Sequence, residues 1–406
     1  MKVLYNLPKK VVFCKKCVMS NQRPSSIPEF KHVKNRKGAK YLNLDINQVC
    51  DACNTSVIKN KKINWKDREK SLLKLLNKFR KNNGEYDCIV PGSGGKDSIK
   101  QSHLLKYKYG MNPLTVTWNP IIHTDYGYKN FKNWIEVGGF DNICFKQNGK
   151  TIKTLTKLAI ENLFHPFQTF ILGQKNYPVK LALKLDINLI FYGENEAEYG
   201  NPIADNIVSL RDKSFYTAKK LDNLYLAGVP VSKLISKYKL NLVDLKPYLP
   251  IESKDFEKKK LEVHYLGYYL KWLPQEAYYY SVKHTNFEPR PYRTQGTYSK
   301  YRSIDDKIDD LNYYCSFIKF GLGRCSHEAS QEIRNKHITR QEGKLLVKKF
   351  DGEFPNIYFD EIMEYLEIRK KDFFKLTDKF RSPHLWKKDK GKWKLRHTVN
   401  FDGTDD

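Results

Sequence analysis

The sequence predicts an α/β protein: a parallel sheet with helices on both faces, preceded by a small cysteine-bearing segment and followed by a mainly helical C-terminal region. Three observations predict it. Short apolar runs alternate with helical patterns between about residues 63 and 250. Ahead of that region four cysteines stand in two close pairs, in a stretch too poor in apolar periodicity to fold on a core of its own. Beyond about Pro250 the pattern turns to aromatic-rich helices and loops. The expected organisation is therefore a cysteine segment over 1–62, the sheet region over 63–250 and a C-terminal substrate or partner region over 251–406.

A length of 406 residues suits two or three domains. With 40% hydrophobic and 14% aromatic residues, tyrosine the commonest aromatic, the chain is not disordered. No run approaches the roughly 20 apolar residues of a membrane span, and Met1 to Lys10 holds no apolar stretch of signal-peptide length. A soluble, cytoplasmic protein without a membrane partner is expected. The net charge of +28 raises the question of nucleic acid. The lysines, however, are spread along the chain instead of forming one basic arm, which favours a solvated surface tuned to anionic substrates over a nucleic-acid partner.

Taken in order, Trp65, Glu69, Leu72, Leu73, Leu76 and Phe79 follow helical spacing, and the spacing predicts a helix from about Asn64 to Asn82 that Asn83-Gly84 closes. Tyr86 to Pro91 is a short apolar run, read as a strand. A helix from about Lys96 to Tyr109 follows, burying Ile99, Leu104 and Leu105 and stopping at Gly110. Leu114–Trp118, Asn142–Lys146 and Ile187–Tyr192 are read as further strands, and Thr151–Phe164 as a helix.

Between the first strand and its helix lies Ser93-Gly94-Gly95-Lys96-Asp97-Ser98. Phosphates need converging backbone N–H groups, and glycines permit the tight turn and close approach that a side chain would block. At a strand end and a helix N-terminus, the helix dipole also faces the anion. The run is not the common nucleoside-triphosphate loop with Gly, four residues, then Gly-Lys-Ser/Thr, because Val90 and Asp97 occupy the corresponding positions.

Cys14-Lys15-Lys16-Cys17 and Cys50-Asp51-Ala52-Cys53 are two CxxC knuckles separated by 32 residues. Four thiolates close a tetrahedral zinc site, and all-cysteine ligation leaves no open position for a catalytic water, so structural zinc is favoured over an iron–sulfur cluster. Glu194, Asn195 and Glu198 follow the last strand, where an open α/β sheet binds ligands, and are candidates for magnesium or substrate hydroxyls. Lys300, Arg302, Asp305 and Asp306 form a second polar cluster, in which Lys300 is a candidate to stabilise pyrophosphate. Arg324 is a candidate for phosphate or carboxylate.

The SGGxDS pattern after a strand resembles the pyrophosphatase loop of the N-type ATP pyrophosphatases (PP-loop). That resemblance implies cleavage of ATP between the α- and β-phosphates and transfer of AMP to a carbonyl-type oxygen. It implies that Ser93, Gly94, Gly95 and Ser98 bind the departing pyrophosphate and that Asp97 helps hold magnesium, with Lys96 in the variable position still within reach of a phosphate. The CxxC pairs, Gly193 to Gly200, His264 to Tyr269, Gly296 to Tyr301 and Arg381 to Trp386 together narrow the resemblance to the N-acetyl sugar amidotransferases of bacterial surface-polysaccharide synthesis, over about Cys14 to His397. Members of that family convert an acetamido group to an acetamidino group on O-antigen nucleotide sugars or on nonulosonic acids such as pseudaminic acid.

On this reading ATP, magnesium and structural zinc are the expected cofactors. A glutaminase needs an activated cysteine behind the initiator Met or on a Gly-flanked elbow. Position 2 is Lys2, and Cys88, Cys144, Cys315 and Cys325 lack such surroundings, so a separate glutaminase subunit is the expected source of ammonia. The competing reading is a PP-loop enzyme that modifies tRNA by thiolation or lysidine formation.

Overall fold

In a computed structural model of the chain, the structure describes residues 1–25, 31, 40–194, 208–221, 224–257 and 260–399. Five parallel strands form the central sheet: β1 (Cys88–Pro91), β2 (Pro113–Trp118), β3 (Asn142–Phe145), β4 (Leu189–Tyr192) and a fifth, Glu262–Tyr265, in the order β3, β2, β1, β4, fifth. Alternate residues of the strands feed two cores, as a two-residue side-chain period requires. Cys88, Val90, Leu189 and Phe191 pack with Leu72 and Leu76 of the helix α2 (Trp65–Phe79). Ile89, Leu114, Val116 and Ile190 pack on the other face with Val179 and Ala182. The mixed α/β class, the parallel sheet and the helical C-terminal region thus stand as the sequence predicts.

The fifth strand comes from beyond position 250, where the sequence reading places the C-terminal region. The sheet therefore draws a strand from further along the chain. Leu261 to Tyr265 alternates apolar and polar residues and includes Val and Tyr, so a strand signal exists but is short, and the β4 backbone holds it in the sheet, with Leu189 opposite Glu262.

α2 is capped by Asn64, whose side chain accepts from Lys66 and Asp67 N–H, and it ends at Phe79. α3 (Lys96–His103) runs on into a π-helical turn, Leu104–Lys108, with Ile99 and Leu105 fully buried. α5 is Gly149–Leu163. Two further helices, α4 (Asp125–Glu136) and α6 (Gln168–Leu185), escape the periodic reading. α4 is built from Asn, Gly and aromatic residues, weak helix formers that its N-cap Thr124 and tertiary contacts overcome, and α6 contains Gly173 and Pro178.

The C-terminal helices share the largest core with α5 and α6: Leu311, Ile318, Phe359, Ile362 and Phe373 pack with Leu155, Leu158, Phe164 and Phe170. Among the contacts between this region and the sheet region, one strap lies against the loop that follows β2. Thr124 Oγ1 donates to the Ile304 carbonyl at 2.5 Å, Thr124 N–H to Asp305 at 3.2 Å, and Lys307 N–H to Ile122 at 2.9 Å. No described helix is long and apolar enough to cross a membrane.

Gly173 of α6 lets Trp118 at the end of β2 lie against the helix backbone, since a Cβ there would stand 2.0 Å from Trp118 Cε2. Gly173→Ala should therefore cost about 1–3 kcal/mol in urea unfolding, despite alanine's better helix propensity. A variant as stable as the parent would contradict this packing.

Candidate functional site

The strand order reverses direction across β1 and β4, and the loops leaving their C-terminal ends open a crevice there. The β1 loop is shaped by its glycines. Gly94 sits at φ +83°, and a Cβ on it would lie 2.5 Å from Phe131 Cα in α4; a Cβ on Gly92 would lie 2.2 Å from Ser98 Cβ. Gly95 caps α3, leaving the first N–H groups of that helix turned to the crevice. Ser98 Oγ donates back to the Gly95 carbonyl at 2.8 Å, and the Lys96 ammonium meets the Asp97 carboxylate.

Two cavities meet on this loop. The first, about 690 Å³, is lined by Ser93 to Asp97, by Asn130 of α4, and by Arg23, Tyr301, Arg302, Asp305, Arg324, His327, Glu328 and Gln331. The second, about 500 Å³, runs along the strand ends past Val116, Trp118, Phe167, Phe170, Pro178, Tyr192 and Arg211, with Asp306 and Asp309 in its wall. Ser93, Gly95, Asp97, Ile171, Gln174, Glu194, Ser303 and Asp305 belong to both. Both chambers carry charged side chains; the second adds an apolar and aromatic stretch along the strand ends and the first a cluster of arginines, with the loop between them.

The charged wall is pre-ordered. Arg324 Nε donates to Glu328 at 2.6 Å and its Nη1 to Ser303 Oγ at 2.9 Å, with the guanidinium 4.2 Å over the Tyr313 ring. Arg302 donates to Gln331 at 2.5 Å and to Glu332 at 2.6 Å. Burial alone would raise the Glu328 carboxyl, but the adjacent Arg324 and Arg302 outweigh it and hold it below the ordinary carboxylate range. Asp306 accepts from Ile121, Ile122 and Ile308 N–H groups, and burial pushes its carboxyl up to about 7. Burial also pushes Asp309 upward.

The structure brings Ser93, Gly94, Gly95, Lys96, Asp97, Glu194, Asp305 and Arg324 to the first chamber, and Ser98 and Asp306 to the second. It does not bring Lys300, the candidate for pyrophosphate. Lys300 is exposed, and its ammonium bonds the Pro291 carbonyl at 3.2 Å; two residues on, Arg302 takes the interior position. Asn195 and Glu198 lie outside the described residues. Among the residues at the crevice that escape the sequence reading are Arg23, Asn130, His327, Glu328 and Gln331, together with the part played by Trp272, whose indole N–H donates to Asp97. A signal for His327 existed, because Arg324, His327, Glu328 and Gln331 recur at i, i+3, i+4 and i+7, one polar face of the helix Arg324–Arg334. Nothing in the sequence near Arg23 pointed to the crevice; Trp272 ends the aromatic stretch from Tyr265, which on sequence could stack on a sugar or base or simply pack, and the structure buries its ring and turns its N–H to Asp97.

The C-terminal wall has a counterpart among known proteins. Residues 295–400 match the family described as LPS biosynthesis protein WbpG-like, C-terminal domain. The stretch that is similar to this lipopolysaccharide-biosynthesis domain supplies Tyr301, Arg302, Asp305, Arg324, His327 and Glu328 to the first chamber. An 80-residue stretch, 20% of the chain, is 35% identical to the uncharacterized protein MJ1599 of Methanocaldococcus jannaschii and covers 28% of that relative's length.

Away from the crevice, Cys14, Cys17, Cys50 and Cys53 gather with their sulfurs within 4.8 Å of one another. Cys14 Sγ lies 3.9 Å from Cys53 Sγ, and Cys17 Sγ 3.7 Å from Cys50 Sγ. Thiolates about 2.3 Å from one tetrahedral zinc stand about 3.8 Å apart, so the donor set fits a single structural ion. Purified protein should hold one zinc per chain, and stripping it with a chelator should lower the melting temperature; iron with sulfide in the metal analysis would contradict this.

His327 is held neutral far below the ordinary imidazole range, down to about 3, by burial and then by Arg23, Arg324 and Arg334. An unfolded chain protonates it near pH 6.5, so between about pH 3 and 6.5 the native state binds fewer protons and loses stability as pH falls. His327→Gln should therefore recover about 1 kcal/mol of the stability lost between about pH 7.5 and 5.5, read by urea unfolding at both values. An unchanged acid loss would contradict a neutral His327.

Proposed function

We propose that this chain is the synthetase subunit of an ATP-dependent N-acetyl sugar amidotransferase of O-antigen or nonulosonic-acid biosynthesis, working in the cytoplasm. The observation that carries the reading is the meeting of two chambers on the loop 93–98. A nucleoside suits the aromatic chamber along the strand ends, and a polyhydroxyl substrate suits the chamber lined by Arg, Glu, Gln and His. The phosphate chain then lies on the loop between them, next to the substrate. The lipopolysaccharide-biosynthesis family of the C-terminal domain supports a surface sugar, free or nucleotide-linked, as that substrate.

An amide carbonyl is a weak electrophile, and its oxygen is a prohibitive leaving group at neutral pH. In the proposed reaction the acetamido oxygen attacks the α-phosphorus of ATP, the bond from that phosphorus to the bridging oxygen of the β-phosphate breaks, and pyrophosphate departs onto the backbone N–H groups of Ser93 to Ser98. The resulting O-adenylyl imidate accepts ammonia at carbon. AMP then leaves with the former amide oxygen, and the acetamidino group remains.

The chain's own groups have separate tasks in this scheme. The helix α3 N-terminus and the Lys96 ammonium face the departing charge. Arg302 and Arg324, fixed by Gln331, Glu332 and Glu328, orient the sugar, and bulk water is displaced as both chambers fill. Magnesium, for which Asp97, Glu194 and Asp305 offer carboxylates at the junction, would neutralise charge on the phosphates. No cysteine lines either chamber among the described residues, which disfavours thiolation and supports ammonia from a separate glutaminase subunit.

With an N-acetylated sugar and ammonium, ATP should yield AMP and pyrophosphate in equal amounts, and glutamine should serve only when a glutaminase is added. Asp97→Asn should lower turnover by about a hundredfold or more with the fold intact. Formation of ADP and phosphate, or glutamine use by the pure chain, would sink the reading.

A further inference from the structure

The Asp97 carboxylate is held from two sides. The Lys96 ammonium meets Oδ2, and the Trp272 indole N–H donates to Oδ1 at 3.0 Å. Trp272 is 1% exposed and lines neither chamber, so it cannot touch a ligand there. The end of β4 closes over this pair: a Cβ on Gly193 would lie 3.3 Å from Trp272 Cζ2 and 3.6 Å from Asp97 Cβ.

Trp272 is itself fixed from elsewhere. Its carbonyl accepts from the Lys59 ammonium at 2.5 Å, and the Lys100 ammonium stands 4.9 Å over its ring. Lys59 is buried, and it belongs to α1 (Asp51–Lys61), which begins between Cys50 and Cys53. The cysteine segment therefore reaches the loop through one helix and two hydrogen bonds, from Lys59 to Trp272 and from Trp272 to Asp97.

An ionised carboxylate offers about four acceptor positions. One donor on each oxygen leaves one position on each for a ligand and stops rotation of the group, so that a bound ion or water finds it already oriented. Without the indole donor only one oxygen is tied, and the carboxylate can turn about its bond to Cβ.

We propose that Trp272 is the positioning residue for Asp97, and that Lys59 of the cysteine segment holds Trp272 in place. This rests on loop 93–98 being the nucleotide's loop. Trp272→Phe keeps most of the ring and removes the N–H; Lys59→Met keeps the stem and removes the ammonium.

The test is calorimetric binding of ATP to the full chain over a series of free magnesium concentrations, with melting temperatures taken alongside. Both variants should need about fivefold or more magnesium for half-saturation, at melting temperatures near the parent's. In an Asp97→Asn background, Trp272→Phe should add under about twofold, because its effect passes through the lost carboxylate. A magnesium requirement unchanged in both variants, or effects of Trp272→Phe and Asp97→Asn that add in full, would overturn the proposal while leaving the amidotransferase reading intact. If Trp272→Phe does not fold, Lys59→Met alone decides. Failure of the parent chain to bind ATP at any magnesium concentration would overturn both.

Discussion

The Asp306 carboxyl group, buried beside the loop that follows β2, accepts the backbone N–H groups of Ile121, Ile122 and Ile308, and what the C-terminal region presents to the crevice hangs on that clasp. Asp305 is carried on the same strap, close enough that a Cβ on Gly127 would lie 2.5 Å from its Cα. Ser303, just before it, receives Arg324. α4 starts beside the clasp and packs on Gly94 of the phosphate-binding candidate loop. Strap, loop and α4 thus form one packed unit, and the two chambers are defined by how that unit sits against the sheet.

This arrangement divides the labour between the parts of the chain. The parallel sheet supplies the crevice and the loop, as an open α/β sheet does at the point where its strand order reverses. The C-terminal domain supplies charge-paired arginines, and the cysteine segment supplies Arg23 to the chamber and Lys59 to Trp272. The net charge of +28 says little about this division. The cations that matter are a few buried ones, each held by a carboxylate or amide, whereas many of the surface ion pairs are too exposed to contribute much.

Much of the sheet, the loop and the cysteine cluster was legible in the sequence, because each rests on a local signal: apolar runs, glycines at a tight turn, thiols at metal-ligand spacing. The second polar cluster was legible in type but not in detail. Asp305 and Asp306 face the crevice while Lys300 does not, since Lys300 ends in solvent on the Pro291 carbonyl and the chain turns inward only at Arg302. The fifth strand was missed although Leu261 to Tyr265 alternates as a strand does, because the run is short and lies beyond the alternating strand–helix region; α4 was not legible, because packing on Gly94 and not local propensity makes it a helix. Arg23 and Trp272 reach the site through tertiary contacts alone.

In the proposed reaction the two chambers bring the oxygen of an amide against the α-phosphorus of ATP on the loop 93–98. This is tested most directly by following that oxygen. With a sugar carrying heavy oxygen in its acetamido carbonyl, supplied with ATP and ammonium, mass spectrometry of the products should find the label in AMP, one atom per acetamidino group formed. Label found in water or in inorganic phosphate, with unlabelled AMP, would contradict the account.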